Sequence, residues 1–445
     1  MNEKGEFYTV ADIPGRPPIA NIFSEKDSVK HQRLVRPVLK LYSANKVDQF
    51  EPLLSSAIES FINVVHGKIL KTPSKSWRCD QERWIEYFTW DAMSTMTFSQ
   101  PLGFLTQQND VGNLLSISQM SVTYMSIIGC MPFLDYFLDK NPIHRIGPPA
   151  FSHAAAFSFE QIAKRSHSTK PPASENDDKQ KDFLDHFLAL RHNPDYQVND
   201  TMLLIYMFAN VVAGSDTVAC ALNSILRHTL LSPTAYRKLQ GELLALPTEA
   251  IAYKELKKLS YLSAVIREGM RLCPSIGMHL ERVVPPEGLH LPDGRFIPGG
   301  TSVGMNAGVL HRQSVFGENV DAFMPERWLP GKDEGEEEAK ERIKAMKAAD
   351  FVFGYGKRGC LGKELALMEI HVFVARLVRE FEVSGPSFFT VTCAWGLHKS
   401  LYLSTNANLD GDREPRTSLE GSQSLLCVSQ RHRDYLQTED CLGKR

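Results

Sequence analysis

The sequence is poor in the features that mark secreted, zinc-binding and nucleic-acid-binding proteins. Its eight cysteines are scattered, without a Cys-x-x-Cys pair or an even spacing, which argues against a disulfide framework and against a zinc site. The formal net charge is only −2, so the chain shows no basic footprint for nucleic acid. A hydrophobic fraction of 43% and a charged fraction of 23% indicate an ordinary globular protein, and the scattered cysteines fit a reducing compartment.

The chain also lacks an apolar N-terminal segment, because it opens Met-Asn-Glu-Lys-Gly-Glu. We therefore expect no signal peptide and no anchor, and a cytoplasmic protein. One internal run, residues 202–226, is apolar enough to suggest a membrane span. It carries Asn210 and Asp216 near its centre, and an Asp at mid-span costs about 2.5–3.5 kcal/mol. A buried core helix is the better prediction for this run.

Apolar residues at helical spacing are the main pattern that the sequence does contain. They predict helices over these stretches: 48–70, 84–98, 111–128, 150–163 and 183–190. A longer helix, capped by Asn199 or Asp200, is predicted to run to about Leu231. Residues 296–308 alternate in polarity and contain a Pro-Gly-Gly sequence, which predicts a small antiparallel hairpin.

One cysteine, Cys360, stands in a glycine-rich loop directly before an apolar, helix-patterned run over 361–383. The loop, residues 353–362, reads Phe-Gly-Tyr-Gly-Lys-Arg-Gly-Cys-Leu-Gly. A thiolate at this place is favoured by the unpaired amides and the dipole of the following helix. For a lone cysteine, however, a buried thiol in a glycine turn is the more common interpretation.

The other residues of this loop suit a flat ligand that carries an anionic group. Three glycines permit positive φ and a close approach of the backbone: Gly354, Gly356 and Gly359. Gly362 removes a side chain at the start of the helix. Arg358 offers positive charge, and Phe353 offers an apolar surface beside the sulfur.

The predicted long helix contains three residues that are poor choices for a helix interior. They lie in the sequence Ala-Gly-Ser-Asp-Thr, residues 213–217, where a glycine, an acid and a threonine interrupt an apolar run. The hydroxyl of Thr217 can bond back to the carbonyl of Ala213 and loosen the turn. Such a loosened groove could accept dioxygen and a chain of water; the alternative is a helix with one buried polar cluster around Asp216.

The complete pattern Phe-x-x-Gly-x-Arg-x-Cys-x-Gly resembles the haem-binding loop of the cytochrome P450 family. Three further family motifs precede it in the family's order: the stretch 213–217, the Glu-x-x-Arg pair at 268–271, and Pro-Glu-Arg-Trp at 325–328. The amino-acid sequence of residues 281–329 closely resembles that of the fungal pisatin demethylase-like and benzoate hydroxylase-like branch.

This resemblance implies a mainly α protein with a small β region, the cytochrome P450 fold. It covers about residue 10 to Val383, so we expect a haem-thiolate domain over 1–383 that is truncated at its N-terminus. The family's anchor, proline-rich hinge, first helix and first strands have no counterpart in the sequence. Residues 384–445 are polar and low in periodicity, and we expect a disordered or atypical tail there.

The resemblance also implies the ligands of a haem b. Cys360 would be the axial thiolate on its iron, within a loop whose Phe353, Gly356, Arg358 and Gly362 match the family's pattern. Arg282 matches the arginine that binds a haem propionate.

A Trp or His and an Arg four residues later complete the propionate site in the family. Here His31 and Arg36 are candidates, because Val35 occupies the fourth position. A solvated basic face is an equally good interpretation of these two residues.

Two more residue sets take roles from the resemblance. Asp216 and Thr217 would deliver protons to oxygen. Glu268, Arg271 and Arg327 would form a buried structural network, although a Glu–Arg pair at i,i+3 is by itself a common surface pair worth about 0.3–0.5 kcal/mol.

The function that follows is that of a haem-thiolate monooxygenase acting on a small to medium, apolar organic substrate in fungal secondary metabolism or detoxification. Because no dinucleotide fingerprint is present, electrons would come from NADPH through NADPH–cytochrome P450 reductase, with cytochrome b5 as an optional second donor. The family's usual location is the surface of the endoplasmic reticulum. Two alternatives stay open: a haem-thiolate isomerase, dehydratase or nitric oxide reductase, which the Asp216–Thr217 pair argues against, and a defective, non-catalytic member.

Overall fold

The computed structural model of the protein describes residues 4–71, 77, 79–166, 181–247 and 251–383. The tail predicted over 384–445 therefore lies outside the described residues. Within them the chain is mainly helical with two small sheets, which confirms the predicted fold class.

The helices follow one another along the whole described chain. They are α1 (Ser28–Val35), α2 (Glu51–Leu70), α3 (Gln81–Phe98), α4 (Phe104–Gln107), α5 (Leu114–Ile128), α6 (Ser152–Ser166), α7 (Phe183–Leu190), α8 (Asp200–Phe208), α9 (Gly214–Leu230), α10 (Pro233–Leu244), α11 (Tyr253–Leu256), α12 (Ser260–Leu272), α13 (Ala307–Leu310), α14 (Glu336–Ala349) and α15 (Lys363–Glu380). Short 3-10 segments lie between them: Glu6–Ala11, Leu39–Tyr42, Val47–Phe50, Val111–Asn113, Pro132–Tyr136, Ser314–Phe316, Pro325–Trp328 and Gly356–Arg358.

The longest helical run consists of α8, a π-helical segment at Ala209–Ala213, and α9. Its start is capped by Asn199, whose side chain accepts a hydrogen bond from the amide of Met202 at 2.9 Å, as predicted. The run packs against α3, α12 and α15. Although it is long and apolar enough to cross a membrane, 56% of its most apolar window is buried inside the protein. It is the central helix of the fold.

Close contact between α9 and α12 depends on a glycine. A Cβ atom added at Gly269 would lie 2.7 Å from a side-chain carbon of Ile225 and 2.8 Å from its Cα. The hydroxyl of Ser224 also donates to the carbonyl of Gly269 at 2.7 Å. The two helices therefore approach closely enough to exclude even a methyl group at this position.

Four two-residue strands form the small β region. Strand β1 (Arg282–Val283) pairs antiparallel with β4 (Ser302–Val303), and β2 (Leu289–His290) pairs antiparallel with β3 (Phe296–Ile297). The hairpin predicted within 296–308 is thus wrong, because β3 and β4 each pair with an earlier strand.

The cause lies in the segment between β3 and β4. Val284 exchanges backbone hydrogen bonds of 2.9 Å with Gly300 and Thr301. A Cβ at Gly299 would lie 2.6 Å from the carbonyl oxygen of Pro286. This glycine therefore lets the turn approach the segment after β1 and directs β4 towards β1.

A buried carboxylate, Glu268, joins α12 to the 3-10 segment at Pro325–Trp328. It accepts two hydrogen bonds from the guanidinium of Arg271, at 2.8 and 2.9 Å, and one from Nε of Arg327 at 2.9 Å. The indole of Trp328 and the amide of Met324 donate to it at 2.9 and 3.0 Å. The sequence prediction that these three charged residues meet is therefore confirmed in geometry.

This network keeps its carboxylate charged. Burial alone raises the pKa of Glu268, but the hydrogen bonds and charges of Arg271 and Arg327, together with the amide of Met324, outweigh burial and hold that pKa below its ordinary value. Glu268 is fully buried and Arg271 is 1% exposed, so neither charge could be kept without the other.

We expect Glu268→Gln to lower the free energy of unfolding by about 3–5 kcal/mol, because it leaves two buried guanidinium groups without their anion. Glu255→Gln is the matched control, since Glu255 and Lys258 form an i,i+3 pair on the surface. That control should lose less than about 1 kcal/mol. Urea unfolding measures both variants, and equal losses would contradict the structural role of Glu268.

Candidate functional site

One cavity of about 1950 Å³ brings together all the residues to which the sequence assigned catalysis or cofactor binding. They are His31, Arg36, Asp216, Thr217, Arg282, Phe353, Gly356, Arg358, Cys360 and Gly362. They come from α1, α9, β1 and the loop before α15, which are far apart in the chain. The predicted structural residues Glu268, Arg271 and Arg327 are not part of this lining.

Backbone hydrogen bonds shape the loop that presents Cys360 to the cavity. The amide of Cys360 donates to the carbonyl of Phe353 at 2.8 Å, and the amide of Gly359 donates to that of Gly356 at 3.0 Å. These two bonds close the loop upon itself and leave the thiol at the cavity wall, three residues before α15 begins.

The glycines of this loop have two different functions. Gly354 and Gly356 adopt φ values of +67° and +70°, as predicted, and side chains would be strained there. The prediction of positive φ is wrong for Gly359, whose φ is −61°. Gly359 is needed for space instead, because a Cβ atom there would lie 3.3 Å from the carbonyl oxygen of Gly356.

Two opposing effects act on the thiol of Cys360. Burial raises its pKa, while the amide of Gly362 and the charge of Lys363 lower it, and burial is the larger effect. The predicted influence of the helix start is therefore present but does not dominate. A ligand that binds the thiolate must supply the remaining stabilisation itself.

A cluster of basic side chains, Lys4, His31, Arg282 and Arg358, lines the cavity, and we call it the cation cluster after the charge of its two arginines. Arg358 donates to the carbonyls of Glu25 and Lys26, both at 3.0 Å, just before α1.

Arg282 donates to the carbonyls of Leu280 and Glu281 at 2.9 and 2.8 Å and to the hydroxyl of Tyr8. Lys4 forms a backbone bridge with Arg282 and donates to the carbonyl of Phe23. Backbone oxygens thus hold these side chains in place without neutralising their charge.

The members of this cluster repel each other's positive charge. Burial, then Arg358 and Arg282, lower the pKa of Lys4 to about 7. Burial, then Arg358 and Lys4, lower the pKa of His31 to about 4. Such a site favours a ligand that carries two negative charges. Arg36 lines the cavity too, but its guanidinium lies over the ring of Tyr196, 6.0 Å from the centroid.

The π-helical segment, which also lines the cavity, ends directly before Gly214, where the helix was predicted to loosen. The hydroxyl of Thr217 donates to the carbonyl of Ala213 at 2.9 Å, which confirms the predicted hydrogen bond. The carbonyl of Thr217 in turn accepts from the hydroxyl of Ser275 at 2.7 Å. The threonine is thereby fixed at the cavity wall by contacts on both sides.

The side chain of Asp216 is held by two donors. The indole nitrogen of Trp90 donates to Oδ1 at 3.0 Å, and the hydroxyl of Ser118 donates to Oδ2. Burial raises the pKa of Asp216 to about 6, and the two hydrogen bonds act against that increase. A carboxyl with such a pKa can both accept and release protons near neutral pH.

Sequence reasoning missed one acid on the cavity wall, Glu369. It is fully buried in α15, nine residues after Cys360, and among the described residues neither of its carboxylate oxygens has a hydrogen-bond partner. Burial raises the pKa of Glu369 to about 8. Its only local signal was an acid in the middle of the apolar run 361–383, between Met368 and Ile370.

Lys4 was missed as well. No residue pattern around it distinguished it from a surface lysine, and only the folded chain brings it beside Arg282.

The raised pKa of Glu369 makes stability depend on pH. Its contribution is fully present below the ordinary carboxyl pKa of 4.5 and is lost as the pH rises through about 8. We expect Glu369→Gln, which cannot ionise, to be more stable than the wild type at about pH 9, by up to several kcal/mol, and nearly equal to it at about pH 4. Urea unfolding across this range measures the difference; parallel pH profiles would contradict the assignment.

These residues fit a haem. A thiol lines a large cavity from a glycine-rich loop, a cluster of basic side chains that could bind two carboxylates lines the same cavity, and so do an acid and an alcohol from α9. Fold and site together define the class of haem-thiolate proteins.

The comparisons with known proteins show the family directly. The family model described as Cytochrome P450 matches residues 9–389. The chain belongs to the cytochrome P450 family, in which haem iron is bound by a cysteine thiolate.

Fungal monooxygenases are among its relatives. The cytochrome P450 monooxygenase cfoH of Aspergillus candidus is 35% identical over 407 residues, which cover 90% of this chain and 74% of the relative. The cytochrome P450 monooxygenase cicH of Emericella nidulans is 33% identical over 390 residues, 86% of this chain and 75% of the relative.

The cytochrome P450 monooxygenase vrtE of Penicillium aethiopicum is 31% identical over 402 residues, 87% of this chain and 72% of the relative. The chain is thus an oxidoreductase of the monooxygenase class, of the kind found in fungal secondary metabolism. The finer resemblance to the pisatin demethylase-like and benzoate hydroxylase-like branch stays a prediction.

Proposed function

We propose that this chain hydroxylates, demethylates or epoxidises a small to medium, apolar organic compound, using O2 and electrons that a separate reductase takes from NADPH. The observation that carries the proposal is the convergence on one cavity of Cys360, the cation cluster and the Asp216–Thr217 pair. Insertion of one oxygen atom into a substrate reduces the other to water, which consumes two electrons and two protons. The site must therefore hold a cofactor, a substrate and a source of protons.

Two groups of residues at the cavity wall would hold the cofactor. Cys360 would bind the haem iron, and Arg282, Arg358 and His31, with Lys4 beside them, would bind the two propionates. When bound there, haem supplies the binding and reductive activation of O2. In this role the charge repulsion within the cation cluster would be relieved by the two carboxylates.

Proton delivery is the proposed task of the acid and the alcohol. Thr217 keeps its hydroxyl at the cavity wall through its hydrogen bond to Ala213. Asp216, whose pKa burial raises to about 6, can take up a proton and give it to a water or hydroxyl on the cavity side. A monooxygenase requires such a supply, whereas an isomerase or dehydratase that uses no O2 does not.

The rest of the wall supports an apolar substrate. Ile276, Met278 and Met125 line the cavity, and Met278 packs against the cluster that contains Met125. Asp139 and Arg145 also line it, but they form an ion pair of 2.7 Å and so present little net charge. Such a wall would favour an apolar substrate over a charged one.

Cys360→Ala should abolish the red-shifted Soret band of the ferrous–CO complex, because no thiolate would remain to bind iron. Cys130→Ala is the matched control, since Cys130 is a free, exposed cysteine outside the cavity lining, and it should keep the band. Absorption spectra of both purified variants, loaded with haem, measure this outcome. A normal band in Cys360→Ala would show that another residue binds the iron.

Thr217→Ala should still consume NADPH but divert it to hydrogen peroxide, with product formation reduced roughly 100-fold, the low end of the effect of a positioned proton donor. Thr217→Ser keeps a hydroxyl and should retain most of the coupling. The measurement is the ratio of peroxide to NADPH consumed, with reductase in excess and a compound selected by its spin-state shift. An unchanged ratio in Thr217→Ala would remove the hydroxyl from proton delivery.

A further inference from the structure

A second, much smaller cavity of about 30 Å³ lies behind Asp216, between α3, α5 and α9. Its polar lining residues are Glu82, Glu86, Ser118, Gln119, Asp216 and Asn223. A cavity of this size holds about one water molecule, and this lining offers it several hydrogen-bonding partners. Asp216 lines both cavities, so its carboxyl stands between the main cavity and this polar compartment.

The outer wall of the small cavity reaches the protein surface through Glu86. Its side chain is 25% exposed and pairs with Arg83 at 3.3 Å, and Arg83 is 47% exposed. Glu86 lies one helical turn before Trp90 in α3, so both side chains occupy the same face. Trp90 donates to Asp216 from that face. Glu86 therefore connects solvent with the compartment that Asp216 closes on the inside.

The charges around Glu86 favour its protonated form. Burial raises the pKa of Glu86 to about 8; Arg83 acts against this, while Glu82, Asp216 and Asp80 raise it further. Among the described residues that line the cavity, α5 contributes no charged group and α9 contributes only Asp216. The outer acid thus holds its proton at a higher pH than the inner acid, whose pKa is about 6.

We propose that Glu86 is the outer proton donor to Asp216, taking protons from solvent and passing them inward through a water in the small cavity. In each transfer the O–H bond of Glu86 breaks, the water accepts that proton and donates another, and an O–H bond forms on the Asp216 carboxylate. Solvent then restores the proton on Glu86, and no electrons move. The inference rests on the proposed function, because it is Asp216 that would pass the protons to the main cavity.

A structural explanation of Glu86 accounts for less. An i,i+3 pair with a half-exposed arginine stabilises a protein by less than about 1 kcal/mol. It explains neither the polar cavity beside Glu86 nor the position of Asp216 at its other end. The two explanations can be distinguished by measurement. The proton relay requires the carboxyl of Glu86, whereas the structural explanation requires its ion pair with Arg83.

The test is Glu86→Gln in the full-length, haem-loaded protein with NADPH–cytochrome P450 reductase in excess. We expect NADPH oxidation to slow roughly tenfold or more, and the solvent isotope effect in D2O to increase, because proton uptake becomes limiting. The same variant should oxidise guaiacol with cumene hydroperoxide at the wild-type rate. The hydroperoxide is the two-electron oxidant, and two guaiacol molecules supply the two electrons and two protons that convert it to an alcohol and water, so that reaction takes no net proton from solvent.

Three variants serve as controls. Glu86→Asp should recover part of the rate, since it keeps a carboxyl. Arg83→Gln removes the ion pair but leaves the carboxyl, and should keep both the rate and the isotope effect. Glu160→Gln removes an exposed acid of α6 that pairs with Lys164 and lies far from Glu86 in the sequence. It should also behave as the wild type.

A readout independent of turnover is the infrared C=O band of a protonated carboxyl. Because burial also raises the pKa of Glu369 to about 8, the band is measured in Glu369→Gln, where a band that titrates near pH 8 should remain, and adding Glu86→Gln should remove it. Its presence in the double variant would assign the protonated acid elsewhere and overturn the proposal.

The remaining outcomes separate this inference from the function on which it rests. If Asp216→Asn slows NADPH oxidation and Glu86→Gln does not, the Glu86 relay is overturned and proton delivery by Asp216 stands. If neither variant has an effect, both are overturned. If Glu86→Gln slows the hydroperoxide reaction as much as the NADPH reaction, or Arg83→Gln reproduces its effect, Glu86 has only a structural role.

Discussion

The constraint on which this structure depends is that one helix must fill the core and also carry polar chemistry. The run from Asp200 to Leu230 packs against α3, α12 and α15, which requires apolar faces almost all round. Its π-helical segment interrupts the regular hydrogen bonding directly before Gly214. Trp90 and Ser118 then provide hydrogen-bond donors to the one acid that the helix buries, which offsets part of the cost of burying Asp216.

In the cavity the buried charges are positive, and hydrogen bonds within the protein again partly compensate for their burial. Backbone carbonyls hold Arg282 and Arg358, yet carbonyls do not cancel their charge. Burial and these charges together lower the pKa of Lys4 and of His31, and the site is prepared for an anion. In contrast, Glu268 lies fully buried between two guanidinium groups and is neutralised within the protein. The Glu268 network thus needs no ligand to balance its charges, and its residues do not line the cavity.

The sequence predicted most of the helices and the central site because each had a local signal. The apolar periods located α2, α3, α5, α6 and α7 to within a few residues. The cysteine loop and the Gly-Ser-Asp-Thr stretch are each one unbroken run of residues in the chain. The hairpin was wrong because its pairing is decided by contact between Gly299 and Pro286, which no alternation pattern encodes. Glu86, Glu369 and Lys4 were missed because each is an ordinary charged residue until the fold buries it.

By itself the sequence determined which segments are helical, where the chain bends at Gly354 and Gly356, and which residue types could bind a haem, since φ preferences and apolar periodicity act over a few neighbours. Tertiary structure alone decided that ten predicted residues from four segments share one cavity, and that Asp216 divides it from a second compartment. It also decided which acids hold protons at neutral pH. Those properties depend on desolvation and on charges brought together from distant parts of the chain, and no stretch of sequence contains them.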